Sequence, residues 1–458
     1  MKKYLAFSTI ILSLFFFAKA INAQSYTAYL NAAQEVPASG TAATGKAHVV
    51  INETALTITY SITFSNLSSA QILGHIHGPA AVGANAGVQI TFPVIGGTSG
   101  TISGSTSITA TQVAQIRSGL GYVNIHSANF TGGEIRGQLA KNRPVDFDGD
   151  GRTDFSVLRF PGEKPPVPNP ITYYNLRSTD GFQAQRWGDA NIHVPVPGDY
   201  DGDGKDDFAV YSVGLVTSDF YIIRSSDSTV DVVHWGNTAT DRAVCRDYDG
   251  DGITDIAVFR LGANAGDPAF WYIRQSTNGA LRAVQWGTTG FFPDGDKPVP
   301  GDYDGDGKFD IAVYRFGGLS PSNSFLILRS SDGGFVTQSW GNYPTDYIAP
   351  GDFDGDGKTD LVAARTGANG SDPMIWYILR SSDAGVTVRA FGLSSDHPAQ
   401  GDYDGDGKTD VAVFRDGANM TSQSTFYILR SFDNSFQAMN WGLGGDYSLN
   451  TFDTRRMF

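Results

Sequence analysis

Six times between Asp146 and Asp410 the chain places aspartates at positions one, three, five and nine of a nine-residue string, with glycines at positions four and six. Closely spaced carboxylates supply hard anionic oxygens, and calcium takes six to eight such oxygens in a flexible geometry. With a backbone carbonyl from position seven, the first string offers Asp146, Asp148, Asp150, Asp154 and Arg152, and the second Asp199, Asp201, Asp203, Asp207 and Lys205. The third offers Asp247, Asp249, Asp251, Asp255 and Ile253, and the fourth Asp302, Asp304, Asp306, Asp310 and Lys308. The last two offer Asp352, Asp354, Asp356, Asp360 and Lys358, then Asp402, Asp404, Asp406, Asp410 and Lys408. The glycines let the chain fold back around an ion where a Cβ would hinder it.

Two other metal chemistries fail on spacing. An EF-hand needs a bidentate Glu at position twelve between two helices, and position twelve here is Val157, Val210, Val258, Val313, Ala363 or Val413. A two-metal catalytic site draws carboxylates from separate elements onto one substrate pocket, which six near-identical local strings do not do. A solvated Asp-Gly turn would explain one copy; aspartates in register through six copies point to calcium, about six ions in all, in a structural role.

A second set of chemistry-bearing residues lies nearer the N-terminus. His75 and His77 are two apart in LGHIHGPA, so on a strand they share a face. In YVNIHS, His126, Asn124 and Tyr122 alternate with Val123 and Ile125, and in GGEIRGQL Glu134 and Arg136 alternate with Ile135. If these polar faces meet, His75, His77, His126 and Glu134 are an acceptable zinc or copper ligand set, because imidazoles on adjacent strands converge without backbone distortion. The competing reading is a hydrogen-bonded polar network beside the Gly-Pro turn.

The elements that must carry these residues fall into two halves. From residue 24 to 141, short alternating runs such as LTITYSITF predict half-buried strands, and ITATQVAQIRSGLG predicts one helix with a Thr109–Gln112 capping box, apolar Val113 and Ile116, and a stop at Gly119. That half reads as an all-β sandwich or barrel-like domain. From residue 142 to 458 each unit has an aspartate string, an apolar strand such as IAVYR, an aromatic strand ending near Arg177, Arg224, Arg274, Arg329, Arg380 or Arg430, and then an aromatic-Gly pair. Successive strings start 53, 48, 55, 50 and 50 residues apart, a period that suits one four-stranded blade per unit. Six blades are expected, the tail LGGDYSLNTFD supplying the strand that closes the ring on the first; a seventh, degenerate blade is the alternative.

Residues 1–23 have two early lysines, an apolar run and small residues before Gln24, as an export signal cut after Ala23 would. No later segment approaches the length of an apolar span. Cys245 is the single cysteine, so burial and metals must hold the exported protein without disulfides. Without the leader's Lys2, Lys3 and Lys19, 30 basic residues face 47 acidic ones, a formal charge of −17 that argues against nucleic acid as a partner. Six calcium ions would reduce it to about −5.

The second half resembles the FG-GAP and VCBS repeat family, the calcium-loop propellers of integrin α-subunits and many bacterial surface proteins. The resemblance rests on the DxDGDGxxD strings, the strands after them and the pairs Trp187-Gly188, Trp235-Gly236, Trp286-Gly287, Trp340-Gly341, Phe391-Gly392 and Trp441-Gly442, where Trp mostly stands in place of the family's Phe. It implies that each string joins the first two strands of a blade and binds calcium structurally. AAQEVPASGTAATGKA, HIHGPAAVG, SGTISG and GYVNIHSANFTGGEIRGQL resemble the CHRD domain, from about Tyr26 to Leu139. That resemblance implies a β-rich extracellular module without an agreed catalytic activity.

Together these readings describe an exported, calcium-binding, non-catalytic adhesion or ligand-binding protein, extracellular, at the cell surface or periplasmic, whose partner is a protein or a glycan. The alternatives are a metal-dependent extracellular enzyme built on the histidines and a purely structural matrix component. There is no Gly-x-Ser-x-Gly elbow and no His-Glu-x-x-His. The recurrent Trp residues suit packing between blades better than sugar stacking. The recurrent Arg residues could pair with acidic neighbours or rim a ligand pocket.

Overall fold

A computed structural model describes residues 23–450, apart from 53–54, 81–82, 118–119, 142–144, 150, 163–166, 179, 213–217, 237–239, 291–294, 317–322 and 343–344. All of the leader at residues 1–23 but Ala23, the helix stop at Gly119 and the ligand candidate Asp150 thus lie outside the described residues. No helix among the described residues is long and apolar enough to cross a membrane.

The N-terminal domain is a single nine-stranded antiparallel sheet curled into a half-barrel, so the barrel-like form, and not two stacked sheets, is the one adopted. Its strands alternate as the sequence does. In Thr57–Ser65 every second residue is buried, and Ile58, Tyr60, Ile62 and Phe64 join one core with Val49, Ile76, Ile102, Val123, Ile125 and Ile135. The helix Ala110–Arg117 lies across this core through Val113 and Ile116. Its capping box forms as read: the Gln112 N–H donates to Thr109 Oγ1 at 3.2 Å, and the Thr109 N–H donates to Gln112 Oε1 at 2.9 Å.

The second half is a six-bladed propeller, each blade a four-stranded antiparallel sheet. The third blade shows the plan, with Asp241–Ala243 innermost, then Ile256–Arg260, Pro268–Arg274 and Leu281–Thr288 outermost. The second strands are packed on both faces, which is why IAVFR or VAVFR reads as an unbroken apolar run, whereas the third strands bury alternate residues. Six apolar cores sit between blades, one at each junction; Phe155 and Val157 of the first blade pack with Ala412, Phe414 and Phe426 of the sixth. The tail closes the ring as expected: Tyr447–Ser448 is the innermost strand of the first blade, with Val157 opposite Ser448 and Leu158 opposite Tyr447.

A second device links the blades. The indole N–H of Trp187, Trp235, Trp286, Trp340 and Trp441 donates to a main-chain carbonyl of the next blade's third strand, at Tyr221, Tyr272, Leu326, Tyr377 and Tyr174, over 3.0 to 3.3 Å. The packing role of the recurrent Trp is thereby explained, and so is the preference for Trp over Phe, which has no N–H to donate. At the fifth blade Phe391 and Tyr427 pack against one core, and the Phe391 ring lies 6.4 Å from that of Phe436.

Within blades, an Arg at the end of the second strand grips a buried Asp near the first. Arg159–Asp446, Arg260–Asp241, Arg315–Asp296, Arg365–Asp346 and Arg415–Asp396 are ion pairs of 2.6 to 2.8 Å, and four of these guanidinium groups lie over a Tyr ring 4.4 to 4.7 Å away. The second blade breaks the pattern, with His193 opposite Ser212 at the equivalent register.

Candidate metal centres

Each aspartate string is the connection into a blade's second strand, and its hydrogen bonds repeat from copy to copy. In the last, Asp402 accepts the N–H groups of Gly405 and Gly407 at 2.7 and 2.9 Å, one on each carboxylate oxygen. Those glycines have φ of +77° and +91°, which only glycine adopts without strain, and this is the conformational demand behind the motif's glycines. Asp406 accepts the Lys408 N–H at 2.8 Å, so position seven turns its backbone along the ligand set. Asp410 clamps the loop from outside, accepting the Tyr403 N–H at 2.8 Å and the Ser431 N–H at 2.6 Å.

That serine was not singled out by the sequence reading. Ser225, Ser276, Ser330, Ser381 and Ser431, each following the third strand, donate a hydroxyl to the position-five aspartates Asp203, Asp251, Asp306, Asp356 and Asp406 at 2.8 to 2.9 Å. Its signal was the serine after Arg224, Arg329, Arg380 and Arg430 at the ends of the aromatic strands; Ser276 follows Gln275 instead. The recurrent arginines divide: Arg224 and Arg430 reach loop carboxylates of Asp201 and Asp404 at 3.5 Å, while Arg329 and Arg380 pair with Asp332 and Asp383 in the adjacent turn.

Carboxylate oxygens converge within 4.8 Å of one another for Asp146, Asp148 and Asp154, for Asp199, Asp201 and Asp203, for Asp247, Asp249 and Asp251, and for Asp302, Asp304 and Asp306. In the first loop, whose Asp150 lies outside the described residues, the position-nine aspartate is the third member of the cluster; in those other three loops the first three aspartates form it. Asp249 Oδ1 and Asp406 Oδ2 are buried and accept no hydrogen bond, leaving lone pairs for a cation. Electrostatics points the same way. Burial first, then repulsion from Asp207 and Asp203, raises Asp199 to about 8; burial, then Asp249 and Asp247, raises Asp255 to about 8. Asp207, Asp310 and Asp360 rise to about 6, again chiefly by burial. The donor set of carboxylates and hydroxyls at flexible spacing fits a hard divalent cation.

The loops are also joined to each other. The position-one carbonyl of each accepts the N–H of position eight in the next: Asp146 from Asp206, Asp199 from Thr254, Asp247 from Phe309, Asp302 from Thr359, Asp352 from Thr409, and Asp402 from Thr153, all within 2.6 to 2.8 Å. The last bond runs from the sixth blade back to the first, so the six loops form a closed hydrogen-bonded ring. Where Thr occupies position eight it lies against a glycine just before the neighbouring loop; a Cβ on Gly198, Gly301, Gly351 or Gly401 would fall within 3 Å of that Thr. The N-terminal domain touches this ring too, through Lys46 Nζ, which donates to the Asp148 carbonyl at 3.3 Å.

The histidines meet as expected, and Glu134 does not join them. Strands Gln71–His77 and Tyr122–Ser127 are antiparallel neighbours with Leu73 opposite His126, which sets His126 diagonally across from His75 on one face. His75, His77 and His126 are buried, with one ring nitrogen of each within 4.8 Å of the others. His75 Nδ1 and His126 Nε2 are 3.1 Å apart; His77 Nδ1 faces the Ala86 carbonyl and His126 Nδ1 the Thr131 carbonyl, both at 3.0 Å. Burial, then the charges of His126 and His77, lowers His75 to about 4, and burial lowers His77 and His126. Glu134 is turned away: its carboxylate accepts the Ser68 N–H at 2.7 Å and the Ser68 hydroxyl at 3.2 Å, so it holds a neighbouring loop. The position facing Asn124 belongs to Glu35, a buried carboxyl raised to about 7 by burial, which the sequence reading had passed over. Tyr122 completes the layer, stacked on His77 at 4.9 Å with the Arg136 guanidinium 3.5 Å from its ring centre.

Residues 26–139 match the CHRD domain family, and residues 247–313 and 352–413 match the FG-GAP-like repeat. The chain is a CHRD domain followed by an FG-GAP-type propeller. No curated protein matches it. Solved structures similar to it include AofleA from Arthrobotrys oligospora, at 10% identity over 61% of this chain and 81% of that one with a TM-score of 0.42. An arginine-to-alanine mutant of the same protein covers 61% and 82%, at 10% identity and a TM-score of 0.40. A Lactobacillus plantarum protein is similar at 14% identity over 64% of this chain and 98% of that one, with a TM-score of 0.36. These likenesses are too distant to carry an argument about function. FG-GAP repeats on a propeller fit a ligand-binding or adhesion-type fold, and CHRD and FG-GAP domains are typical of extracellular proteins.

Proposed function

We propose that this chain is an exported, non-catalytic adhesion or ligand-binding protein, its partner a protein or glycan outside the cell and its propeller held in shape by about six Ca2+ ions in the aspartate loops. The observation that carries the reading is the closed ring of loops. Four loops gather carboxylates within 4.8 Å of one another, Asp249 and Asp406 keep a buried oxygen without a hydrogen bond, and all six loops are bonded each to the next, so neutralising one loop steadies its neighbours. Such a ring makes calcium a structural element of a rigid scaffold whose faces and rim are left for recognition.

Calcium bound to the folded state alone stabilises it by RT ln(1 + [Ca2+]/Kd) per site, about 0.4 to 1.4 kcal/mol at 1 mM for Kd values of about 10⁻³ to 10⁻⁴ M. Over six sites and about 300 residues unfolding near 2.1 cal/mol/K each, the melting temperature rises by about 4–13 °C. The measurement is a thermal melt of the mature protein in 1 mM CaCl2 and in excess chelator. Identical melts from protein shown by metal analysis to begin calcium-loaded would sink the calcium reading. Glycan-array and pull-down experiments with and without calcium then test the binding reading: a partner held only in calcium supports it, and no partner in either condition leaves a scaffold.

A further inference from the structure

We infer that the N-terminal domain carries a second kind of metal centre, in which His75 Nδ1, His77 Nε2 and His126 Nε2 hold one divalent transition ion of the zinc or copper class, distinct in chemistry from the carboxylate loops.

The tautomers settle which nitrogens are lone-pair donors. His77 Nδ1 faces the Ala86 carbonyl at 3.0 Å, and a carbonyl accepts, so that nitrogen carries the proton and Nε2 carries the lone pair. By the same argument the Thr131 carbonyl protonates His126 at Nδ1 and leaves Nε2 as the donor atom. His126 Nε2 lies 3.1 Å from His75 Nδ1, so without an ion His75 must donate a proton to it. That bond satisfies two rings and strands the third: His77 Nε2 is buried and has no hydrogen-bond partner. A buried polar atom left without a partner is destabilising.

An ion resolves the conflict. When the His75 proton moves to Nε2, each of the three rings has a lone-pair nitrogen free to bind one ion. Two nitrogens bound tetrahedrally at 2.0–2.1 Å lie about 3.3 Å apart, close to the 3.1 Å found between His75 and His126. The cluster lies within 4.8 Å overall, so closing it asks for a shift of about 1–2 Å in a tetrahedral site. The two carbonyls play the outer-shell part expected of partners that orient metal-bound imidazoles. Tyr122 stacked on His77, with Arg136 beyond it, fixes the ring plane. Three imidazoles with neither thiolate nor carboxylate suit Zn2+ or Cu2+ and are a poor match to Ca2+, and the fourth position stays open to solvent or a small anion.

The test uses the whole mature chain, stripped of metals, then held in saturating CaCl2 and titrated with Co2+ as a spectroscopic probe. One equivalent should give visible ligand-field bands of a four-coordinate nitrogen site, displaced by one equivalent of Zn2+ or of Cu2+. Competition between those two ions decides which the site prefers, and copper would show nitrogen hyperfine structure from three ligands. His77→Ala should lower Zn2+ affinity by more than about 100-fold, since outer-shell losses alone typically cost 10–100-fold. Resistance of the N-terminal domain to limited proteolysis, compared with the wild type, serves as the check that this variant is folded. Should His77→Ala prove unfolded, the wild-type titration still decides. No Co2+ bands in the wild type would overturn the inference, as would bands of equal strength in His77→Ala and His126→Asn. Because the loops are assayed by melting and the histidines by absorption, failure of either reading leaves the other intact.

Discussion

If the ring of loops is a packed joint, adding one methyl group at Gly198 should loosen it. A Cβ there would stand 2.8 Å from Thr254 Oγ1 and 3.0 Å from Thr254 Cγ2. Thr254 cannot retreat easily, because its N–H is bonded to the carbonyl of Asp199, the residue next to Gly198, at 2.6 Å. Gly198 is absent from the positive-φ residues, so alanine meets no backbone penalty and the cost is steric. Overpacking of this kind costs about 1–3 kcal/mol. With an unfolding entropy of about 0.6 kcal/mol/K for about 300 residues, Gly198→Ala should melt about 2–5 °C lower. Thr254→Ala leaves only its own Cβ, 3.3 Å from the added methyl, a tight but tolerable contact. Made together, the two substitutions should therefore recover at least about 1 kcal/mol relative to their sum. The assay is a double-mutant cycle by denaturant titration in saturating calcium. Gly198→Ala within about 0.5 kcal/mol of the parent, or strict additivity of the pair, would refute the packed-joint argument.

Two further outcomes follow from the same geometry. Phe391→Trp should add the one missing indole bond between blades, to the Tyr427 carbonyl, and stabilise the propeller by about 0.5–1.5 kcal/mol, read as a higher denaturant midpoint. The metal-free protein holds Asp199, Asp207, Asp255, Asp310 and Asp360 at raised values of about 6 to 8, so between the ordinary 3.8 and those values its folded state binds more protons than the unfolded chain, and its stability should fall as pH rises across that range. Calcium removes that loss by holding the carboxylates ionised. The calcium-induced rise in melting temperature should therefore be larger at pH 8 than at pH 5.5; a rise independent of pH would contradict it.

What was legible in the sequence was local or periodic. Each loop gathers its carboxylates from nine consecutive residues, so motif and cluster coincide, and the spacing of about 50 residues counts the blades because each is one repeat. The Thr109–Gln112 box was legible for the same reason, its partners being three residues apart. Even the closing strand could be read, since LGGDYS repeats the lead-in of earlier units and pairs at Val157 and Leu158.

The tertiary structure decided whatever depends on partners far apart in the chain. Alternation put Glu134 on the same face as the histidines, yet alternation gives a side and not a destination, and the nearby Ser68 N–H takes the carboxylate. Convergence of His126 on His75 rests on a strand register that joins residues 51 apart in the chain, with Leu73 opposite His126 and His75 opposite Asn124. The ring of Asp carbonyls and the Trp links join residues in different repeats, where curvature of the propeller sets the distance. Six aspartate strings by themselves set out the carboxylates of a donor set that suits a hard divalent cation. That they form one closed ring follows only from six blades meeting around an axis, because hydrogen bonds between repeats require a geometry no single repeat contains.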